Sequence, residues 1–190
     1  AYEAQISRTT PRAFLFVVDQ SGSMDEKMAS GRTKAEFVAD VLNKTLMDLI
    51  TRCNKSEGVR DYFEIGDLGY GYHGVQNSFQ GVLGQRILNP ISLIEQNPLK
   101  VEDRKKKMDD GAGGIIEVPI KFPMWFEPVS NGGTPMQAAL IAAAEAISEW
   151  CDAHPESYPP TILHVTDGES NDGDPEEIAN SLCQISTEIG

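Results

Sequence analysis

Residues 16–24 read FVVDQSGSM, and they join the end of an apolar run to one carboxylate and two hydroxyls. The run starts at Ala13 and lacks the polar alternation of a half-exposed strand, so it predicts a strand that is covered on both faces within a parallel sheet. Asp19 follows at the carboxyl end of that strand, and Ser21 and Ser23 complete the spacing Asp-x-Ser-x-Ser. Taken alone, this spacing is weak, because Asp and Ser are also common in turns and at helix starts.

Strands and helices alternate along most of the chain. The predicted elements after the first strand are a helix from the capping-box residue Thr33 to about Asn54, a strand over Tyr62–Leu68, a helix over Pro135–Trp150, a buried strand over Thr161–Thr166 and a helix that starts near Pro175. This alternation predicts an α/β fold with a doubly wound, Rossmann-like, mostly parallel central sheet and helices on both faces.

Residues 69–131 interrupt this alternation. They are rich in Gly, Pro and Asn and are longer than a normal connection, which predicts an irregular insertion within a single domain that covers residues 1–190. Val118–Phe126 is predicted as a short edge strand, and the basic run Arg104–Lys107 as the solvated face of a helix. Trp125 and Phe126 either contact a partner or cover the sheet edge, and the packing role is favoured.

The composition disfavours several classes of protein. The 190 residues include 29 acidic and 16 basic side chains, and the resulting net charge of −13 repels nucleic acids and anionic lipid surfaces. No apolar run approaches the roughly 20 residues of a membrane span. The three cysteines have no paired spacing and the opening at Ala1 lacks a secretory signal, which together predict a cytoplasmic protein. A further strand is expected beyond Gly190, so a C-terminal truncation is predicted.

Oxygen-bearing side chains flank three of the predicted elements. Besides the three in FVVDQSGSM, Thr134 lies directly before a helix and Asp167 directly after a strand. Ligands of parallel sheets bind outside the carboxyl ends of the strands, so these side chains are expected at one edge. Hard divalent cations prefer oxygen donors. The sequence therefore predicts a Mg²⁺ site, with Mn²⁺ or Ca²⁺ as other candidates, formed by Asp19, Ser21, Ser23, Thr134 and Asp167.

Three motifs in fixed order resemble the von Willebrand factor type A (vWA) domain, in its bacterial intracellular form. They are FVVDQSGSM after a strand, GGTPM at a helix start and HVTDGES after another strand, and the resemblance covers nearly the whole chain outside residues 69–131. It implies a metal-ion-dependent adhesion site in which Ser21, Ser23 and Thr134 contact the metal through hydroxyls. Asp19 and Asp167 would do so directly or through water.

The partner expected at such a site is a protein that supplies an Asp or Glu carboxylate. Neutral hydroxyl ligands leave the charge of Mg²⁺ poorly neutralised, so its open position attracts an anionic oxygen. The alternative is a Mg²⁺-dependent phosphohydrolase with Asp19 as nucleophile or base. Aspartate-nucleophile phosphatases open with Asp-x-Asp, however, and Ser21 stands where the second Asp would be. We therefore expect a binding module and no enzymatic activity.

Other polar residues near these motifs have simpler interpretations. Asp25, Glu26 and Glu169 are expected to be solvated partners of helix dipoles. His164 lies within a strand and is expected to be hydrogen-bonded rather than a metal ligand. Residues 171–174 lack the full pattern of a calcium loop and are expected to form a turn that Asp174 caps.

Overall fold

The computed structural model describes residues 6–109, 111 and 113–189, so the expectations about Ala1 and Gly190 concern residues outside this part. Its strands are β1 (Arg12–Asp19), β2 (Asn54–Lys55), β3 (Gly58–Val59), β4 (Phe63–Gly71), β5 (Gly74–Asn77), β6 (Asn89–Pro90), β7 (Lys100–Asp109), β8 (Ile115–Met124) and β9 (Thr161–Val165). Its helices are α1 (Lys34–Cys53), α2 (Ile91–Gln96), α3 (Met136–Ala153) and α4 (Glu176–Leu182), with short 3₁₀ turns at Gly22–Asp25 and Gly81–Gln85.

The central sheet is mainly parallel. β1 lies between β4 and β9 and pairs in parallel with both, while β5 and β6 pair antiparallel with β4. Within the described residues β9 forms one edge of the sheet, since its pairing is with β1. The prediction of a mixed α/β fold with a mainly parallel central sheet is therefore confirmed.

β1 is apolar along its length because both of its faces are covered. Phe16 and Val18 pack in one cluster with Leu46 of α1, whereas Leu15 and Val17 pack in another with residues of α3. Successive side chains of a strand point to opposite faces. The helices α1 and α3 therefore cover opposite faces of β1, which explains why its sequence shows no polar alternation.

The start of α1 follows from a local signal. The Thr33 hydroxyl accepts a hydrogen bond from the Glu36 amide at 3.1 Å, and the Glu36 carboxylate accepts one from the Thr33 amide at 2.8 Å. This capping box satisfies two amides that the helix itself leaves free. It was predicted from the residue spacing and is confirmed. None of the described helices combines the length and the apolar character that crossing a membrane requires.

Residues 69–131 are more regular than their composition suggests. β4 continues to Gly71, and the segment then contains β5, β6, α2 and a long hairpin of β7 and β8. The strand predicted over Val118–Phe126 exists as β8, but it pairs with β7 and not with the edge of the central sheet. The run Arg104–Lys107 lies in β7, so the predicted helix there is wrong. A strand exposed on both faces carries no apolar period that would distinguish it from a helix.

The base of this hairpin is fixed to α1 by one buried amide. Asn43 accepts hydrogen bonds from the backbone amides of Trp125 at 2.7 Å and Phe126 at 3.1 Å, and it donates to the Phe126 carbonyl at 2.9 Å. Trp125 and Phe126 are 2% and 5% exposed. The packing role that was favoured for these two aromatic residues is therefore confirmed.

Candidate metal site

Three loops meet at the carboxyl ends of β1 and β9: the β1 loop (residues 20–25), the α3 loop (residues 131–135) and the β9 loop (residues 166–175). The Gly22 amide of the β1 loop donates to the Gly132 carbonyl of the α3 loop at 2.9 Å. The Asn171 amide of the β9 loop donates to the Thr134 carbonyl of the α3 loop at 3.1 Å. The α3 loop therefore fixes the positions of the other two loops relative to each other.

Gly132 allows this close contact. Its φ of 81° lies in the left-handed region, which residues with a side chain rarely adopt. A Cβ atom at this position would also lie 2.4 Å from the Cα atom of Tyr72. Any larger residue would therefore push the α3 loop away from the end of β4.

Asp19 is buried and held at both carboxylate oxygens. Asp19 is 1% exposed. Its Oδ1 accepts a hydrogen bond from the Ser21 amide at 2.9 Å, and its Oδ2 accepts one from the Thr166 hydroxyl at 2.8 Å. Because the two bonds come from different loops, the carboxylate cannot rotate without breaking a link between them.

Two serines continue this network to the β9 loop. The hydroxyl oxygens of Ser21 and Ser23 lie 3.0 Å apart, and the Ser23 hydroxyl donates to Oδ1 of Asp167 at 2.7 Å. Ser21 is 2% exposed, and 15% of the Asp167 side chain is exposed. Four of the five predicted ligands, Asp19, Ser21, Ser23 and Asp167, therefore form one hydrogen-bonded cluster across two loops.

Thr134 lies beside this cluster and is not bonded to it. It is half-buried at the start of α3, and its carbonyl accepts from the amides of Asn171 and Met136. Among the described residues, no hydrogen bond joins its side chain to Asp19, Ser21, Ser23 or Asp167. Its loop nevertheless contacts the β1 loop at Gly132, so Thr134 belongs to the same rim of the sheet.

Sequence reasoning missed Lys34, the first residue of α1. Its ammonium group contacts Oδ2 of Asp167 at 2.7 Å and also pairs with the carboxylate of Glu26. The hydrogen bond from Lys34 holds the pKa of the Asp167 carboxyl below its usual value. A lysine in the first turn of a helix interacts unfavourably with the helix dipole. This unfavourable position was the sequence signal that Lys34 has another role.

Thr166 was also missed, although it directly precedes Asp167 in HVTDGES. Its hydroxyl orients Asp19, and a polar residue at the end of a buried strand was the signal for such a role. His164 is hydrogen-bonded to the Tyr70 hydroxyl at 2.7 Å, as expected from its place in a strand.

The β9 loop is fixed by two acidic caps. Asp172 accepts hydrogen bonds from the Gln137 and Ala138 amides of α3, each at 2.9 Å, and so caps that helix from outside. Asp174 accepts from the Glu176 amide at 2.9 Å, which confirms the predicted turn. The loop that carries Asp167 is therefore tied to the start of α3.

The donor set of the cluster fits a small hard cation. Mg²⁺ binds oxygens at about 2.1 Å in an octahedron, which places neighbouring ligands about 3 Å apart. The hydroxyls of Ser21 and Ser23 and the Asp167 oxygen show this spacing, at 3.0 and 2.7 Å. The described residues hold no group of three or more His, Cys, Asp or Glu side chains placed to bind a metal, so a site here depends on hydroxyls. Comparisons of this chain with models of known protein families and with curated proteins give no match.

Proposed function

We propose that this chain is a metal-dependent protein-binding module of the vWA type. In this proposal Mg²⁺ is held by Asp19, Ser21, Ser23, Thr134 and Asp167, and a partner protein supplies an Asp or Glu carboxylate to the open position. A doubly wound arrangement of the sheet and its helices is part of the same proposal. So is a cytoplasmic location, which is supported by the three free cysteines.

One observation carries the proposal. Two loops that are far apart in sequence bring Asp19, Ser21, Ser23 and Asp167 into one hydrogen-bonded cluster at the carboxyl edge of a parallel sheet. This edge is where ligands of such sheets bind. The cluster also contains only oxygen donors, at spacings that suit an octahedral cation.

The rigidity of the site supports binding rather than catalysis. Asp19 is held from two loops, and the hydroxyls of Ser21 and Ser23 are bonded to each other and to a carboxylate, not to a basic nitrogen that would activate a nucleophile. When bound, the cation would keep a position for one further oxygen beyond the five that the chain supplies. The neutral hydroxyls among those five add no negative charge that would repel an anion at that position. Rigid placement lowers the entropy cost of holding that anion.

Titration calorimetry with Mg²⁺ and with Mn²⁺ tests the metal. The wild-type chain should bind one ion, and Ser23→Ala and Thr134→Ala should each weaken binding by at least about tenfold, as loss of partners at metal sites does. Ser148→Ala, an exposed serine on α3, and Thr45→Ala, whose hydroxyl bonds within α1, are matched controls that should leave binding unchanged. Binding that is indifferent to Ser23→Ala and Thr134→Ala would refute the site.

Affinity capture tests the partner. Capture should be lost with EDTA and with Thr134→Ala, and it should return when Mg²⁺ is added back to the wild-type chain. Changing the partner's contacting Asp or Glu to Ala should remove the metal-dependent part. Metal-dependent hydrolysis of p-nitrophenyl phosphate that Asp19→Asn abolishes would instead favour the phosphohydrolase.

A further inference from the structure

A cavity of about 490 Å³ lies next to the candidate metal site, on the side of the sheet that α1 covers. Val18, Val38, Leu42 and Phe126 contribute apolar surface to its lining, and Asp67, Gln20 and Ser78 contribute polar groups. Pockets for small molecules usually measure about 300–1,000 Å³ and combine an apolar lining with a few polar groups. In size and lining this cavity is typical of such a pocket.

Asp67 is the unusual residue of this cavity. It lies on β4, two residues after Ile65, and therefore points to the α1 side of the sheet, where Ile65 packs. It is 1% exposed, and within the described part of the chain its Oδ2 atom has no hydrogen-bond partner. Burial raises the pKa of Asp67 to about 7, against a smaller opposing effect of a hydrogen bond with Ser78.

A buried carboxyl oxygen without a donor is costly, and native proteins seldom leave one. The charged residues that line the cavity indicate what kind of hydrogen-bond donor would fit beside Asp67. Asp19, Asp67 and Glu127 line it together with His73, and the Glu127 carboxylate is paired with Lys100 at 3.0 Å. None of the described residues that line it is Lys or Arg. The whole chain carries a net charge of −13. A ligand with a positive charge and N–H donors would therefore be attracted, and a carboxylate or phosphate would be repelled.

We propose that this cavity binds an organic cation, a primary ammonium group carried on an apolar body. The Asp67 carboxyl turns toward the cavity so that the ammonium donates to its Oδ2, which is buried without ligand, and the apolar body packs against Val38, Leu42 and Phe126. This site is distinct from the proposed metal function. Asp19 is part of both the cavity lining and the cluster, but binding of the amine requires no metal.

Titrations of the isotope-labelled full chain with cyclohexylamine and with its neutral analogue cyclohexanol, followed by NMR at pH 8 in EDTA, test the proposal. The wild-type chain should bind the ammonium more tightly than the alcohol by roughly tenfold or more, since a hydrogen bond between charged groups adds that much. Asp67→Asn should remove this preference. Equal binding of the two probes by the wild-type chain, or a preference that survives Asp67→Asn, would overturn the proposal.

Two controls separate this result from the metal site and from misfolding. Ser23→Ala should leave amine binding unchanged, and Glu127→Gln, on the same wall, should weaken it only slightly because 51% of that side chain is exposed. Val38→Phe retains Asp67 and narrows the cavity where the apolar body would pack, so it should weaken the binding of both probes. Unchanged binding in that variant would also overturn the proposal. Tighter binding of Nα-acetyl-lysine methylamide than of cyclohexylamine would support the ammonium site and assign it to a partner's lysine side chain.

Discussion

The stability of the wild-type chain relative to the Asp67→Asn variant should depend on pH in a way that measures the burial of Asp67. The pKa of this carboxyl rises from 3.8 to about 7 on folding, mainly through desolvation. Because the folded pKa is the higher one, the unfolded chain loses this proton first as the pH rises. The contribution of the protonated carboxyl is therefore complete below the unfolded pKa and is lost as the pH rises to about 7.

The expected size follows from about 1.4 kcal/mol for each pH unit over which only the folded chain holds the proton. Between pH 5 and pH 8 this covers about two units, so the wild-type chain should lose about 3 kcal/mol relative to Asp67→Asn. Asn has nearly the shape of the protonated carboxyl and cannot titrate. Comparing the two chains at each pH therefore cancels the titration of every other group.

Urea unfolding in EDTA, without added amine, at pH 5, 6, 7 and 8 measures this difference. The exposed Asp48→Asn on α1 controls for the loss of a carboxylate without burial. A difference between wild type and Asp67→Asn that stays constant from pH 5 to pH 8, or that changes in the opposite direction, would refute the reasoning.

Two further variants test contacts of the site and its support. Lys34→Met should raise the affinity for Mg²⁺ several-fold in titration calorimetry, because the Lys34 ammonium occupies Oδ2 of Asp167 and repels a second cation; unchanged or weaker binding would contradict this. Asn43→Ala should lower the free energy of unfolding by about 2–4 kcal/mol in urea titrations, because it leaves two buried backbone amides without acceptors. A loss below about 1 kcal/mol would argue against the role of Asn43 in holding the hairpin.

The sequence predicts the parts of the fold that local signals determine. The apolar run from Ala13 gives β1, and the pair Thr33 and Glu36 gives the start of α1, because both depend on residues that are close in the chain. The hairpin of β7 and β8 depends instead on pairing between strands, and its charged sequence has no period. Val118 was therefore placed in a strand but assigned to the wrong sheet.

The same distinction applies to the site. Asp19, Ser21, Ser23 and Asp167 were expected together because the ends of parallel strands share an edge, and the structure brings these four together. The metal itself stays a prediction. Lys34 reaches Asp167 through a long side chain whose direction no spacing rule gives.

Asp67 was missed for a related reason. A single Asp in FEIGDLGYG resembles a solvent-facing strand residue, and its burial depends on the chain that covers it from elsewhere in the fold.

The hydrogen bond between Ser23 and Asp167 joins residues that are 144 positions apart. Contacts of such high sequence separation cost loop-closure entropy and favour slow folding. Because Asp167 directly follows β9, we expect the cluster to be completed only after β9 has paired with β1. Neither of its two loops has the full set of oxygens by itself. A cation bound at this cluster would contribute little to the search for the topology. It would mainly slow unfolding, because its contacts with residues near both ends of the chain form late in folding and must break before the chain unfolds.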